Sequence, residues 1–145
     1  IINKYTKIIF SNYNDPLITI KTNNYFDFKY TNNFIESKFN QKIDLSNNIN
    51  LTHLTFGYYF NQEFNIPLNV KSLNMDGCNN QYIIDNLHNN IEELIIYRNN
   101  LNLDNLPNSI KKIYIENYEK ELNNLPNSIE YLELKNYNLK IKKIP

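Results

Sequence analysis

Two histidines and one thiol are the side chains of this 145-residue chain best suited to nucleophilic or metal chemistry. His53 and Ser72 stand 19 residues apart, and a serine beside a histidine is the minimum for acyl transfer. Only Gly57 and Gly77 exist in the chain, so no glycine-rich elbow, oxyanion turn or phosphate-cradling loop can be assembled around them. The carboxylate pairs Glu92/Glu93 and Glu116/Glu133 are what a solvated face carries, and nothing beside them poises one as an acid. With a single cysteine, Cys78, no intrachain disulfide can form, and a zinc site built on Cys78, His53 and His88 would need carboxylates to complete it. The chain therefore reads as non-enzymatic, with no cofactor and no metal.

Fifteen basic residues balance fifteen acidic ones, so there is no polyanion-seeking charge, and nucleic acid is not an expected partner. No apolar run approaches the roughly 18 residues that span a bilayer, and Ile1–Tyr5 lacks the layout of a secretory signal. The expectation is a soluble, cytoplasmic protein with no membrane partner. At 41% hydrophobic residues the chain has enough apolar side chains for one domain with a sizeable core. Alanine is absent and valine occurs once, at Val70, a skew that looks like an AT-rich coding genome. Lone asparagines are discounted accordingly, the sequon Asn50-Leu51-Thr52 among them. The chain starts without Met, which leaves room for residues upstream.

The elements that would position these side chains are set by a repeat. Leu106-Pro107-Asn108-Ser109-Ile110 recurs as Leu125-Pro126-Asn127-Ser128-Ile129, a step of 19 residues, and Ile144-Pro145 falls in the same phase. Each unit continues into an apolar triplet: Leu51/Leu54/Phe56, Val70/Leu73/Met75, Ile91/Leu94/Ile96, Ile110/Ile113/Ile115 and Ile129/Leu132/Leu134. The steps between first members are 19, 21, 19 and 19 residues. Period-two alternation within each triplet predicts a strand of about four residues. The rest of each unit is punctuated by Pro, Asn-Asn and Ser and lacks room for a long helix. One strand and one return path per repeat predicts a mainly β solenoid whose strands stack into a parallel concave sheet.

Ile91-x-x-Leu94-x-Ile96-x-x-Asn99-x-Leu101 resembles the leucine-rich repeat at every position. In the neighbouring unit Cys78 takes the Asn/Cys place, and there it meets backbone groups at the inner turn more readily than it acts as a reactive thiol. Tyr59, Tyr118 and Tyr137 stand at that place elsewhere. The tetrapeptide Phe64-Asn65-Ile66-Pro67 and the preceding Phe60-Asn61-Gln62 resemble the FNIP repeat, and Phe39-Asn40-Gln41 marks a degenerate copy beginning near Tyr30. The later copies keep Leu-Pro-x-Ser-Ile and lose Phe-Asn-Gln. FNIP repeats are similar to leucine-rich repeats, are characteristic of social amoebae and of giant DNA viruses of amoebae, and often follow an F-box. The resemblance implies an interaction surface in host cytoplasm or virion, and with an F-box the substrate receptor of a ubiquitin ligase.

The repeats are expected over 30–145 as one continuous solenoid, with 1–29 as a β-rich cap or decayed repeats. In that segment Lys7–Phe10, Leu17–Ile20 and Tyr25–Phe28 are β-prone runs separated by turn residues, as in a meander. Lys140, Lys142 and Lys143 form a small basic tail in phase with one more return path, read as a solvated face.

Residues alternating with the apolar triplet face outward on the concave side in three columns. The first is His53, Ser72, Glu93, Lys112 and Tyr131; the second Thr55, Asn74, Ile95, Tyr114 and Glu133; the third Gly57, Asp76, Tyr97, Glu116 and Lys135. Ile95, Tyr97, Tyr114 and Tyr131 form an aromatic patch that Asp76, Glu93, Glu116 and Glu133 rim, the composition of a protein interface. The expected binding residues are Glu93, Ile95, Tyr97, Tyr114, Glu116 and Tyr131, and the expected partner is a protein. The alternative is a structural component of a viral particle or larger assembly that self-associates through open solenoid edges.

Overall fold

The structure, a computed structural model, describes residues 7–9 and 39–142. Six strands lie in one parallel sheet in chain order: β1 (Lys7–Ile9), β2 (His53–Phe56), β3 (Ser72–Asp76), β4 (Glu93–Tyr97), β5 (Lys112–Glu116) and β6 (Tyr131–Lys135). The fold is the parallel β solenoid that the repeat predicts. Leu54, Leu73, Leu94, Ile113 and Leu132 pair from strand to strand, as do Phe56, Met75, Ile96, Ile115 and Leu134. From β2 to β5 these side chains are buried in one continuous core. Leu132 and Leu134 on β6 are only partly buried.

The backbone explains why the units repeat so closely. At each strand entrance one carbonyl accepts two amides: Thr52 from Lys71 and Ser72, Lys71 from Glu92 and Glu93, Glu92 from Lys111 and Lys112. At the exit the amides of Gly77, Arg98 and Asn117 donate to Tyr97, Glu116 and Lys135 on the next strand. Gly77, Arg98, Asn117 and Asn136 all have left-handed backbones, with φ between 47° and 68°. Glycine and asparagine take that conformation with least strain, and arginine is the exception.

The Leu-Pro-x-Ser-Ile motif has a similar account. Leu106 and Leu125 are buried, and the following proline has no amide to leave unsatisfied. The proline carbonyl closes a turn by accepting the Val70, Ile110 or Ile129 amide three residues on. His88 and Asn48 close the same turn where proline is missing. The serine binds the repeat below: Ser109 Oγ donates to the Ile91 carbonyl and Ser128 Oγ to the Ile110 carbonyl, both at 2.7 Å. Asn69 does the same toward Leu51.

The interior is aromatic at the Phe-Asn-Ile-Pro copy. Phe56, Phe60 and Phe64 cluster there, the Phe56 and Phe60 rings stacked at 4.5 Å and Phe64 meeting Phe56 edge-on at 5.5 Å. Phe39 stacks on Phe60 at 6.1 Å, and Asn40 Oδ1 accepts the Asn61 amide at 3.1 Å and Gln62 Nε2 at 3.0 Å. Phe39-Asn40-Gln41 is therefore the turn of one more coil.

Two features differ from expectation. First, Tyr59 does not take the Asn/Cys place. The Phe60 amide donates to the Gly57 carbonyl as the Cys78 amide does to that of Met75, so this turn carries one extra residue. Phe60 is buried in the place of Cys78, while Tyr58 and Tyr59 are exposed. Second, a short helix, α1 (Gln81–Asp85), lies in the one 21-residue step and buries Ile83 and Ile84. The two additional residues supply the room. The strand β1 pairs with β2 in parallel, Ile8 against Leu54, and so fills a solenoid strand place. Thirty-one residues separate Ile8 from Phe39, against six from Leu54 to Phe60. Leu17–Ile20, Tyr25–Phe28, the stretch from Tyr30 to Lys38 and Lys143 lie outside the described residues.

At Gly77, φ is +68° and an added Cβ would stand 3.1 Å from Tyr58 Cδ2. Gly77→Ala is expected to destabilise the fold by about 1–2 kcal/mol. Asn117→Gly, at the same place one repeat pair further on, should change stability by less than about 0.5 kcal/mol. Urea denaturation of both variants checks this.

Candidate functional site

The candidate chemistry disperses in the structure. His53 and Ser72 are register partners on β2 and β3, yet His53 Nδ1 meets Thr52 Oγ1 at 2.8 Å and buried Ser72 donates to Glu93 Oε1 at 2.7 Å. His88 Nε2 faces the Pro67 carbonyl at 2.9 Å, in the turn that precedes β4. Among the described residues no group of three His, Cys, Asp or Glu side chains is gathered to hold a metal ion. None of the described helices is long and apolar enough to cross a membrane.

Cys78 is fully buried and its thiol donates to the Phe60 carbonyl at 3.2 Å. Burial pushes its pKa up to about 11, with a backbone contact at Asn80 opposing, so the nucleophilic thiolate is suppressed. The place it holds is one of structural donors. Asn99 Nδ2 donates there to the Met75 carbonyl at 3.1 Å, and Tyr118, too long for the turn, reaches the Leu101 carbonyl at 2.7 Å. Burial first, then the nearby Asp104 charge, pushes the Tyr118 hydroxyl up to about 12. Tyr137 stacks on Tyr118 at 6.4 Å; its hydroxyl accepts the Leu122 amide and donates to the Lys140 carbonyl.

The outward face of the sheet carries the side chains that alternate with the buried triplets. The strand pairing reproduces the first two predicted columns in full, His53, Ser72, Glu93, Lys112, Tyr131 and Thr55, Asn74, Ile95, Tyr114, Glu133, and the third from Asp76 on, as Asp76, Tyr97, Glu116, Lys135. Gly57 lies one residue beyond β2. Parallel strands place these residues side by side because each repeat enters its strand through the same backbone contacts.

Register sets the predicted patch on a diagonal. Ile95 lies directly beside Tyr114. Tyr114 is opposite Glu133, and Tyr131, two residues earlier on β6, reaches across so that the two tyrosine rings are 5.2 Å apart. Tyr97, beside Glu116, continues the diagonal on β4, with the Arg98 guanidinium 5.0 Å from its ring centre. Ile95, Tyr97 and Tyr114 are half-buried, and Tyr131 is 46% exposed.

The predicted acidic rim is different in kind from what composition implies. Glu93 is half-buried and accepts the Ser72 hydroxyl. Glu133 accepts from Lys135 Nζ at 2.8 Å and from the Tyr131 hydroxyl at 2.7 Å. Lys135 first, then Tyr131, holds the Glu133 carboxyl below its usual range; the same bonds raise the Lys135 ammonium and the Tyr131 hydroxyl. That small network is intact near neutrality and is lost as pH falls through the depressed Glu133 pKa. Glu116 is half-buried and adds to the pull on Lys135. In contrast Lys112, Lys135 and Arg98 are exposed. Arg98 escapes sequence reasoning because its place becomes visible only once the strand exits are aligned.

At the distal edge, Ile141 bridges Leu122 in parallel and Lys142 pairs with Glu121 at 3.3 Å. The described part of the basic tail is thus a solvated return path.

The FNIP Repeat family model matches residues 39–78 and 97–137, more than half of the chain. No curated protein and no solved structure matches it.

The Cys78 thiol is expected to resist an aromatic disulfide reagent in the native protein near pH 8 and to react fully once the chain is unfolded. Because its folded pKa lies above the value of 9.0 it takes when exposed, the stabilisation is full below pH 9 and falls as pH rises toward about 11. The loss should reach about 2–3 kcal/mol in urea melts across that range, and Cys78→Ala should remove it.

Proposed function

We propose that this chain, which belongs to the FNIP repeat family, binds a protein partner through the concave face of its sheet. The observation that carries the reading is the Ile95–Tyr114–Tyr131 cluster, with Tyr97 on the same diagonal, on the solvent side of a sheet whose other side is the core. A side chain belonging in the interior would be drawn there by the alternation of the strand. These large apolar residues instead occupy outward places on three successive repeats. Partly exposed tyrosine rings held by a rigid backbone lose little further entropy on binding, which is why tyrosine recurs at contact sites.

A repeat solenoid is consistent with a protein-interaction module in general. The finer reading is that the partner is a client and the chain the recognition part of an F-box ubiquitin-ligase adaptor, the F-box lying in sequence outside these residues. This is a binding function without catalysis or cofactor, set in host cytoplasm or, for a viral gene, in the virion. A second reading, assembly through solenoid edges, is favoured by β6: Leu132 and Leu134 are partly exposed there, whereas Leu94, Ile96, Ile113 and Ile115 are buried. An exposed strand edge with apolar neighbours is a template for pairing with another chain.

Tyr97→Ala combined with Tyr114→Ala should abolish capture of the partner from a source lysate while leaving far-UV circular dichroism and melting temperature nearly unchanged. Unaltered capture contradicts the concave-face reading. Loss of higher-order assembly in Leu134→Lys, with capture unchanged in the tyrosine variant, would select the edge reading instead.

A further inference from the structure

Two outward charges on β5, Lys112 and Glu116, stand without a partner side chain among the described residues. The charged residues of β4, β5 and β6 are Glu93, Lys112, Glu116, Glu133 and Lys135, all at outward places. The other three are engaged within the sheet face: Glu93 accepts from Ser72 Oγ, and Glu133 accepts from Lys135 Nζ and from the Tyr131 hydroxyl. In register, Glu93 and Tyr131 flank Lys112, and Tyr97 and Lys135 flank Glu116, yet none of these neighbours bonds to either charge.

The spacing of the two charges matters as much as their being unpaired. They occupy alternate outward places on one strand with Tyr114 midway, which sets them about 13 Å apart along it. Among the described residues the Tyr114 hydroxyl also has no hydrogen-bond partner, whereas those of Tyr118, Tyr131 and Tyr137 are bonded. Ile95 lies directly beside Tyr114. A partner that covers the Ile95–Tyr114 step along β5 therefore also covers Lys112 at one end and Glu116 at the other. Removing an unanswered charge from water outweighs the gain from an apolar contact, so a fitting partner brings a carboxylate to the first and a cation to the second. Glu93, Glu133 and Lys135 make no such demand, since each already has an opposite or donating group.

We infer that the concave face binds an extended protein segment with an acidic, an apolar and a basic side chain at alternate positions, the acid over Lys112, the apolar group over Ile95 and Tyr114, and the base over Glu116. An extended segment has the rise and the two-residue alternation of β5 itself, so the three side chains on its one side meet Lys112, Tyr114 and Glu116 together. This rests on the concave-face reading above and adds the chemistry of what is bound.

The test uses the full chain and four fluorescent peptides of equal length, built on a Thr-Ile-Thr core flanked by one Glu and one Lys, by two Glu, by two Lys or by two Gln. Anisotropy is measured for the parent, Lys112→Glu, Glu116→Lys, Lys112→Gln and Glu116→Gln, with circular dichroism melts to show that each folds. The parent should bind the Glu/Lys peptide about fivefold or more tightly than the other three, a preference that added salt weakens. Lys112→Glu should move the preference to the two-Lys peptide and Glu116→Lys to the two-Glu peptide, an exchange that lost folding cannot imitate. Lys112→Gln should bind the Glu/Lys and two-Lys peptides alike, and Glu116→Gln the Glu/Lys and two-Glu peptides alike; these variants decide the matter if a reversed charge prevents folding. A parent that prefers a like-charged or neutral peptide, or substituted chains that keep the parent's preference, would overturn the inference. Binding of no peptide, while the Tyr97/Tyr114 alanine double variant still loses lysate capture, would overturn this inference alone. Full capture by the double variant would overturn the concave-face reading beneath it as well.

Discussion

Everything in this molecule depends on the in-register stacking of parallel strands. Each unit begins its strand by presenting two amides to a single carbonyl of the unit before it, and ends by turning through a left-handed residue whose amide reaches the unit after it. Between those fixed points the triplet of one repeat can only land on the triplet of the next. A slip of one residue would turn Leu94 and Ile96 out to water and drive Glu93, Ile95 and Tyr97 into the core. The buried stack from Leu54 to Ile115 opposes such a slip, and the turn donors Cys78, Asn99 and Tyr118 satisfy carbonyls that the tight return path would otherwise bury alone.

The same constraint makes the concave surface a fixed array. Because the outward residues inherit the register of the inward ones, Ile95, Tyr114 and Tyr131 are neighbours through backbone geometry and need no special fold to bring them together. What the surface can do is then decided by side-chain detail. Ser72 donates to Glu93, and Tyr131 and Lys135 both donate to Glu133, so these carboxylates are engaged within the sheet face. The surface acquires a character that its residue types alone do not specify.

The repeat, the parallel sheet and the outward columns were legible in sequence because the apolar triplets mark every strand independently of what lies between them. That independence is also why other features were hidden. The extra residue that expels Tyr58 and Tyr59 leaves the triplet step at 19, so counting from triplet to triplet passes over it, and a run of three aromatics offers no cue to which one is buried. The strand at Lys7–Ile9 joins the sheet ahead of β2 although its turn residues begin at Phe39, a separation that periodicity cannot span. The acidic rim looked like a set of outward charges, since Glu at an alternating place is outward by rule; which carboxylates find an internal donor depends on rotamers and cross-strand neighbours. Arg98 needed the strand exits aligned before its backbone stood out against Gly77, Asn117 and Asn136.

The most direct test of the central claim is a nuclear Overhauser map of the isolated chain with Ile methyl groups and Tyr rings labelled. Register as described predicts contacts from the Ile95 methyls to the Tyr114 ring and from the Tyr114 ring to the Tyr131 ring, with Ile96 instead contacting Met75 and Ile115. Contacts from Ile95 to Ile113 or Ile115 would place it inside, and the concave tyrosine surface would not exist.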